Sequence, residues 1–147
     1  MEETATSGEP ITFSPIGYVV RTGPLPEEGD VTAQLRAQPV CIEVDPRYAA
    51  ALLGMMPGDD IVVLTYLHRA TRDVLQVHPR GDPARPLTGV FATRSPSRPN
   101  PIGLTMARVL DVGRHRLTVV GLDALHGTPV LDIKCYSAFF DAPYRAS

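Results

Sequence analysis

The stretch LTMARVLDVGRHRLTVVGL, residues 104–122, decides the fold, because two apolar segments flank a single tight turn. Apolar and polar residues alternate on both sides of Gly113 and Arg114, as is typical of β-strands, and the glycine favours a turn between them. The apolar positions of the two segments include Leu104, Met106, Val109, Leu117 and Val119. The stretch therefore predicts an antiparallel β-hairpin.

Short segments of the same kind recur along the rest of the chain, and glycine, proline and aspartate residues separate them. These further predicted strands cover residues 11–20, 39–44, 60–67, 73–78, 89–94 and 129–136. One helix is predicted over residues 45–54, because Asp45 suits the N-cap, Pro46 the first helical position and Gly54 the end. Many short strands and one short helix predict a mainly β protein, a small closed or nearly closed β-barrel.

Length and composition favour a single domain. With 147 residues, of which 44% are hydrophobic, the chain is able to bury a core without disulfide bonds. Residues 1–10 are polar without periodicity and are predicted to be a mobile tail, and residues 11–147 a single domain. No apolar run is long enough to span a membrane. Cys41 and Cys135 form no CxxC pair and no signal-peptide pattern is present, which favours two buried thiols in a reducing cytoplasm.

The charge pattern and the histidine spacing argue against several classes of site. The net charge of −2 argues against binding dominated by nonspecific attraction to nucleic acid, although arginines concentrate in the second half and leave room for a local basic face. The four histidines, at positions 68, 78, 115 and 126, lack metal-ligand spacings, so no metal site is expected. The PGDD stretch at residues 57–60 predicts a turn rather than paired catalytic carboxylates. Neither a Rossmann GxGxxG motif nor a P-loop occurs.

A proline-rich stretch, TRSPSRPNPIGLT at residues 93–105, leads into the hairpin. Pro96, Pro99 and Pro101 cannot lie inside a helix or a central strand, so the stretch predicts a loop. Each residue before a proline is pushed toward an extended conformation, which leaves the loop little entropy to lose on binding. Gly103 permits a positive φ or a close backbone approach where the loop enters a strand. A rigid connection and a binding loop are both compatible with this pattern.

A second loop, DALHGTP at residues 123–129, follows the hairpin. Gly127 allows a left-handed turn, so Asp123 and His126 either lie beside a ligand or stabilise the turn itself. Because antiparallel strands reverse direction at each turn, the two loops are expected at the same end of the barrel. That end would carry basic and acidic groups together.

Three motifs identify a family. The segments GVFATRSPSRPNPIGLT, LDALHGTPVLDIKCY and SPIGYVVRT resemble the TsaA-like (YaeB/TrmO) family of S-adenosylmethionine-dependent tRNA (adenine-N6)-methyltransferases, from about Phe13 to Tyr136. The resemblance implies a small β-barrel, a homodimer and S-adenosylmethionine bound without a Rossmann fold. It also implies N6-methylation of a threonylcarbamoylated adenosine beside the tRNA anticodon.

The resemblance also assigns cofactor contacts by position. They are Leu67, His68, Arg94, Leu104, Asp123, Ala124, Leu125 and His126. Gln34, or else Gln38, is the candidate to replace a PRQ segment with which family members touch the cofactor. The chain departs from the family at His126 and Cys135, where the family usually reads DGTPV and DIKPY.

The chemistry of the reaction suggests further roles. A carboxylate such as Asp123 attracts the sulfonium of S-adenosylmethionine. Arg98, Asn100 and Lys134 are candidates to bind phosphate, the base edge or the threonyl carboxylate of the substrate. Asp132 and His68 are candidate bases for the proton on N6. An S-adenosylmethionine-binding regulator, or a methyltransferase that acts on a small molecule instead of tRNA, remains an alternative.

Overall fold

The computed structural model describes residues 8–146, and short β-strands make up most of its regular structure. The strands are β1 (Gly17–Val20), β2 (Val40–Val44), β3 (Asp60–Tyr66), β4 (Gln76–Val77), β5 (Thr88–Gly89), β6 (Ile102–Val112), β7 (Arg116–Val120) and β8 (Pro129–Cys135). The helices are α1 (Val31–Ala37) and α2 (Ala138–Asp141), with 3₁₀ segments at Pro46–Leu52, Pro79–Gly81 and Val90–Ala92. No helix among these residues is long and apolar enough to cross a membrane. Residues 1–7 of the predicted mobile tail lie outside the described residues.

Six strands close into an antiparallel barrel in the order β1-β2-β7-β6-β3-β8. The barrel closes where Gly17 and Tyr18 of β1 pair with Val130 and Pro129 of β8. Side chains alternate between the two faces of a strand, so every second residue enters the core. The core side chains that are fully buried include Val19, Ile42, Val63, Val109, Leu117, Val119 and Val130. The predicted mainly β, closed-barrel fold is confirmed.

The predicted hairpin forms β6 and β7, and the turn lies where it was expected, with Gly113 N donating to Arg116 O at 2.7 Å. The register shifts between Val109 and Asp111, as at a β-bulge. Val109 points into the core, whereas Leu104 and Met106 remain 48% and 39% exposed. Leu104 and Met106 therefore make this part of the outer face of β6 apolar. From the alternating pattern alone, both residues would be assigned to the core.

The predicted helix at residues 45–54 has the expected start but a different geometry. The Asp45 side chain accepts from Arg47 N at 3.0 Å and Pro46 begins the helix, yet residues Pro46–Leu52 form a 3₁₀ helix. The helices α1 and α2 were not predicted. In α1 only Leu35 is buried, so the segment shows no apolar periodicity that would indicate a helix.

Three further predictions were wrong in detail. The predicted strand at residues 89–94 is mostly the 3₁₀ segment Val90–Ala92, and the one at residues 73–78 is reduced to β4. Of the two cysteines, Cys41 is half-buried, but Cys135 is exposed because it ends β8 at the rim of the barrel.

Residues 67–101 form an excursion from the barrel between β3 and β6. The short strands β4 and β5 pair only with each other, in a separate two-stranded sheet. Strands β3 and β6 are neighbours, with Tyr66 opposite Ile102, and Leu67 N donates to Pro101 O at 2.8 Å. The excursion therefore leaves and re-enters the barrel at one end.

Candidate functional site

An open groove of about 1220 Å³ lies at the end of the barrel where the excursion begins. Its walls come from α1, the start of β6, the proline loop (residues 93–101) and the loop at residues 122–128. The two loops expected at one end of the barrel thus line one groove. Its volume exceeds the roughly 300–1,000 Å³ of typical small-molecule pockets, so it has room for a nucleoside ligand and part of a second molecule.

Most residues predicted to contact a cofactor lie on the wall of this groove. They are Leu67, His68, Arg94, Leu104, Asp123, Ala124 and Leu125. Gln34 and His126 are not on the wall; the Gln34 amide donates to Glu28 O at 2.6 Å. Contact of any of these residues with a ligand stays a prediction.

The proline loop is braced by the side chain of Arg98, which is half-buried. Its guanidinium donates to the main-chain oxygens of Ser95 at 2.9 Å, Val90 at 3.0 Å and Thr93 at 3.3 Å. Arg98 was predicted to contact an anionic substrate, and it does line the groove. In the structure, however, most of its hydrogen-bonding capacity is used within its own loop.

Asn100, another predicted substrate contact, lies on the groove wall and is held by an arginine that was not predicted. Arg72 donates from Nε to Pro99 O and from Nη2 to Asn100 Oδ1, both at 3.1 Å. This contact sets the orientation of the amide, because only its oxygen accepts a hydrogen bond from Arg72. The amide nitrogen of Asn100 is left as a donor for a ligand.

Gly103 has the close backbone approach that was expected. A Cβ at this position would lie 2.5 Å from Thr65 Oγ1 and 3.1 Å from Leu67 Cδ2. A larger residue would push β6 away from β3 at the floor of the groove, so the position requires glycine for space rather than for a positive φ.

The loop at residues 122–128 is held by Arg21, a buried cation that is 8% exposed. Its guanidinium donates to Leu122 O at 2.6 Å and to Ala124 O at 2.9 Å, one residue on either side of Asp123. Burial lowers the pKa of Arg21 through desolvation, and the negative charge of Asp123 opposes this effect. Arg21 therefore holds the main chain that presents Asp123 to the groove.

His126 completes the same loop from outside the groove. Arg21 N donates to His126 Nδ1 at 3.0 Å, so the neutral ring carries its proton on Nε2. Gly127 has the expected left-handed conformation, with φ of 85°, and donates to Val19 O at 2.8 Å. Sequence reasoning missed the role of Arg21, although the residue lies in the family motif SPIGYVVRT. The signal was an arginine that directly follows an apolar strand.

The two candidate bases differ in position. His68 is exposed on the groove wall. Asp132 and Lys134 lie on β8, outside the wall, and form an ion pair at 2.8 Å. The hydrogen bond and the charge of Asp132 raise the pKa of Lys134. Of the two candidate bases, only His68 faces the space that a ligand would occupy.

A smaller cavity of about 550 Å³ beside Ile61 contains none of the predicted site residues. Two carboxylates line it, but Asp59 accepts from Met56 N at 2.9 Å and Asp60 pairs with Arg108 at 3.1 Å. This agrees with the turn predicted for the PGDD stretch. Within residues 8–146, no group of three His, Cys, Asp or Glu side chains could hold a metal ion.

Comparison with known proteins identifies the family. The family model described as the tRNA-methyltransferase O N-terminal domain matches residues 20–142. The chain belongs to this family. A probable S-adenosyl-L-methionine-binding protein of Methanothermobacter thermautotrophicus is 44% identical over 134 residues, which cover 90% of this chain and 94% of that protein.

Other TrmO relatives are longer than the chain. A rat tRNA (adenine(37)-N6)-methyltransferase is 34% identical over 144 residues, 92% of this chain but 32% of the rat protein. A crystal structure of TrmO superposes with a TM-score of 0.70 and 31% identity, covering 97% of this chain and 62% of that chain. The chain thus spans less than two thirds of that TrmO. The expected family is confirmed, and with it, at the level of the family, the methyltransferase class and S-adenosylmethionine as cofactor.

We expect Arg21→Met to loosen the loop that presents Asp123. The variant leaves the carbonyls of Leu122 and Ala124 without their donor, which should lower the free energy of unfolding by about 2–3 kcal/mol. Affinity for S-adenosylmethionine should fall as well, because the loop lines the groove. Urea denaturation and calorimetry measure the two effects.

Arg47→Met is the matched control, because Arg47 is an exposed arginine paired with Asp45 at 3.2 Å, outside the groove wall. It should change neither quantity appreciably. Arg21→Lys keeps the charge without the two parallel bonds and should fall between Arg21→Met and the parent. Unchanged cofactor affinity in a folded Arg21→Met protein would contradict the role given to Arg21.

Proposed function

We propose that the chain is an enzyme that transfers the methyl group of S-adenosylmethionine to N6 of an adenosine in tRNA. The proposed substrate is the threonylcarbamoylated adenosine beside the anticodon. The observation that carries this proposal is the groove, where the two loops of the family motif meet and set a carboxylate, a histidine and arginines around one open space. The similarity to a rat tRNA (adenine(37)-N6)-methyltransferase supports it.

The groove offers both apolar surface and charge to S-adenosylmethionine. Leu67, Leu104 and Leu125 on the wall provide surface for an adenine ring. Asp123 is the only carboxylate among the residues of the wall. A carboxylate about 4 Å from a sulfonium gains about 4 kcal/mol at an effective dielectric constant near 20, before desolvation is subtracted. The buried charge of Arg21 near Asp123 reduces this attraction, so the net gain is smaller.

Catalysis would rest mainly on orientation. S-adenosylmethionine supplies a methyl group already activated on a positively charged sulfur. The loop braced by Arg98 and the loop held by Arg21 form two walls that need little rearrangement, which favours alignment of the reacting atoms. The N6 nitrogen of a carbamoylated adenosine is a poor nucleophile because its lone pair is delocalised. We propose that His68, which is exposed on the groove wall, accepts its proton.

The candidate substrate contacts differ in the support that the geometry lends them. Asn100 lies on the groove wall, and its amide nitrogen, which donates to no group within residues 8–146, suits a base edge. Arg98 has fewer donors left for an anion, because three of its N–H groups bond to main-chain oxygens. Lys134 is paired with Asp132 outside the groove wall, so it is the least supported of the predicted contacts.

A homodimer is part of the proposal, and the outer face of β3 and β6 supports it. Ile102, Leu104 and Met106 on β6 are 46%, 48% and 39% exposed, and they pair with the apolar residues Tyr66, Leu64 and Val62 on β3. An exposed apolar row of this kind is unusual for a monomer. Because part of the row lines the groove, a second copy seated on it would cover the ligand.

A second candidate function is a regulator that binds S-adenosylmethionine without transferring its methyl group. The names of several archaeal relatives favour it, because they state only that the proteins bind S-adenosyl-L-methionine, with the qualifier "probable" for some. A binding protein needs the apolar wall and Asp123. It does not need a base or a contact for RNA.

Transfer of a radiolabelled methyl group distinguishes the two functions. We expect label to enter total tRNA that carries threonylcarbamoyladenosine, and not tRNA prepared without that modification. Cofactor binding should be present in both experiments. Binding of S-adenosylmethionine with no label in either tRNA would favour the regulator, and equal labelling of both tRNAs would exclude the proposed substrate.

We expect Asp123→Asn to weaken S-adenosylmethionine binding roughly tenfold, equivalent to about 1.4 kcal/mol, because the variant removes the negative charge from the groove. The affinity for S-adenosylhomocysteine, which lacks the positive charge, should change much less. Calorimetry with both ligands measures this ratio. Asp111→Asn, at an exposed position on β6 outside the groove wall, is the control. Equal losses for both ligands would rule out a charge interaction with the sulfonium.

We expect Met106→Lys to convert a dimer to a monomer, because it places a charge in the apolar row. Leu110→Lys is a matched control: Leu110 is 42% exposed on the same strand, at the bulge between Val109 and Asp111. Light scattering at micromolar concentration gives the mass of each variant. A monomeric parent protein would remove the dimer from the proposal, and a dimer that only Leu110→Lys dissociates would place the interface elsewhere.

A further inference from the structure

Positive charge is concentrated in the excursion, residues 67–101. This segment contains six arginines, two aspartates and no lysine or glutamate, a net charge of +4. Since the whole chain carries −2, the remaining residues carry −6. Such an uneven distribution gives one end of a mildly acidic protein a basic surface. The excursion also supplies one wall of the groove.

The six arginines fall into two groups according to their partners. Arg98 and Arg72 donate to the proline loop, and Arg85 lies 4.0 Å from Asp82. Arg69 and Arg80 are exposed and have no ion pair or side-chain hydrogen bond within residues 8–146. Arg94 is exposed, with one long contact of 3.4 Å to Leu104 O. The charge free to meet a partner therefore belongs to the second group.

The excursion is built as a rigid unit. Val90, directly after β5, is 2% exposed and donates to Leu75 O at 2.9 Å. The oxygen of Val90 accepts from Arg98 Nη2 at 3.0 Å, which ties the small sheet to the proline loop. Arg98 therefore has a structural role, unlike the exposed Arg69 and Arg80.

Arg80 has an unusual backbone conformation. With φ of 59° and ψ of 19°, it is the only residue other than glycine with positive φ in the described part of the chain. A residue with a side chain adopts this conformation at a cost, and such outliers concentrate at functional positions. The turn is held by Gly81 N, which donates to His78 O at 2.8 Å. It presents a free guanidinium at an exposed turn beside β4.

Phe91 adds an aromatic ring to the same unit. It is 83% exposed although both its neighbour Val90 and the sheet are fixed in place. Exposed aromatic rings beside basic groups suit unpaired nucleotide bases, which stack on them, while guanidinium groups bind the phosphates. A folded protein partner would have to cover Phe91 with apolar surface, for which a segment with a net charge of +4 is a poor match.

We propose that the excursion is the face on which RNA docks. Arg69 and Arg80 contact phosphates, and Phe91 stacks on an unpaired base. Arg72 and Arg98 hold the face in shape. The inference rests on the proposed tRNA methyltransferase function and specifies how the substrate reaches the groove.

The salt dependence of tRNA binding tests whether Arg69 and Arg80 contact phosphates and whether Phe91 stacks on a base. Each lost phosphate contact should lower the slope of log K against log salt concentration by about 0.7–0.9. Arg69→Gln and Arg80→Gln should each show this change and bind about 5- to 10-fold more weakly at about 0.1 M salt, and the double variant should show both losses. Phe91→Ala should weaken binding with the slope unchanged. Affinity for S-adenosylmethionine should stay at the parent value in Arg80→Gln and Phe91→Ala, because neither residue lies on the groove wall.

The control is Arg114→Gln, which removes an exposed arginine from the turn between β6 and β7, at the end of β6 opposite the groove. It should keep the parent slope. If the double variant also keeps the parent slope while the parent protein methylates tRNA, the docking face is wrong and the proposed function stands. An equal loss in Arg114→Gln would show attraction to overall charge and overturn the proposal. A parent protein that binds S-adenosylmethionine but no tRNA would overturn both.

Discussion

The pairing of β3 with β6 is the constraint on which the groove depends. Seven residue pairs join the two strands, from Asp60 opposite Arg108 to Tyr66 opposite Ile102. Antiparallel neighbours begin and end at the same edge, so the 67–101 excursion between them has to leave and return at one end of the barrel. The close approach at Gly103 allows the two strands to meet under the groove. Without this pairing, the proline loop would have no fixed position relative to Asp123.

The second wall depends on a buried cation from another part of the barrel. Arg21 directly follows β1 and reaches across the closure of the barrel to the oxygens on both sides of Asp123. A buried guanidinium is tolerated only when its donors are satisfied, so the arginine and the loop stabilise each other. The two walls are thus held in the same way: Arg98 and Arg21 each donate to main-chain carbonyl groups of a loop. The polar residues Asn100 and Asp123 of these loops line the groove. A site built in this way is organised before a ligand arrives.

Much of the fold could be predicted because its signals are local. The hairpin has alternating apolar residues and a glycine at its turn, and the structure has both strands and the turn. Helix α1 could not be found, because Leu35 alone is buried and one apolar contact has no period. The error at residues 89–94 has a similar cause. Val90, Phe91 and Ala92 form an apolar run, but Val90 alone is buried, and a run of that length fits a strand or a 3₁₀ turn equally well.

The sequence by itself determined the β-barrel class, the stiffness of the proline loop and the motifs that define the family, because these depend on neighbours along the chain. The tertiary structure alone decided what each arginine does. Nothing in the sequence distinguishes the roles of Arg98 and Arg80. The guanidinium of Arg98 donates to the oxygens of Val90, Thr93 and Ser95, whereas that of Arg80 has no partner within residues 8–146. Arg21 takes its partner at Ala124 from 103 positions away. The reason is that a guanidinium has five donors and no sequence preference for its acceptors, so only the folded chain determines which carbonyls lie within reach.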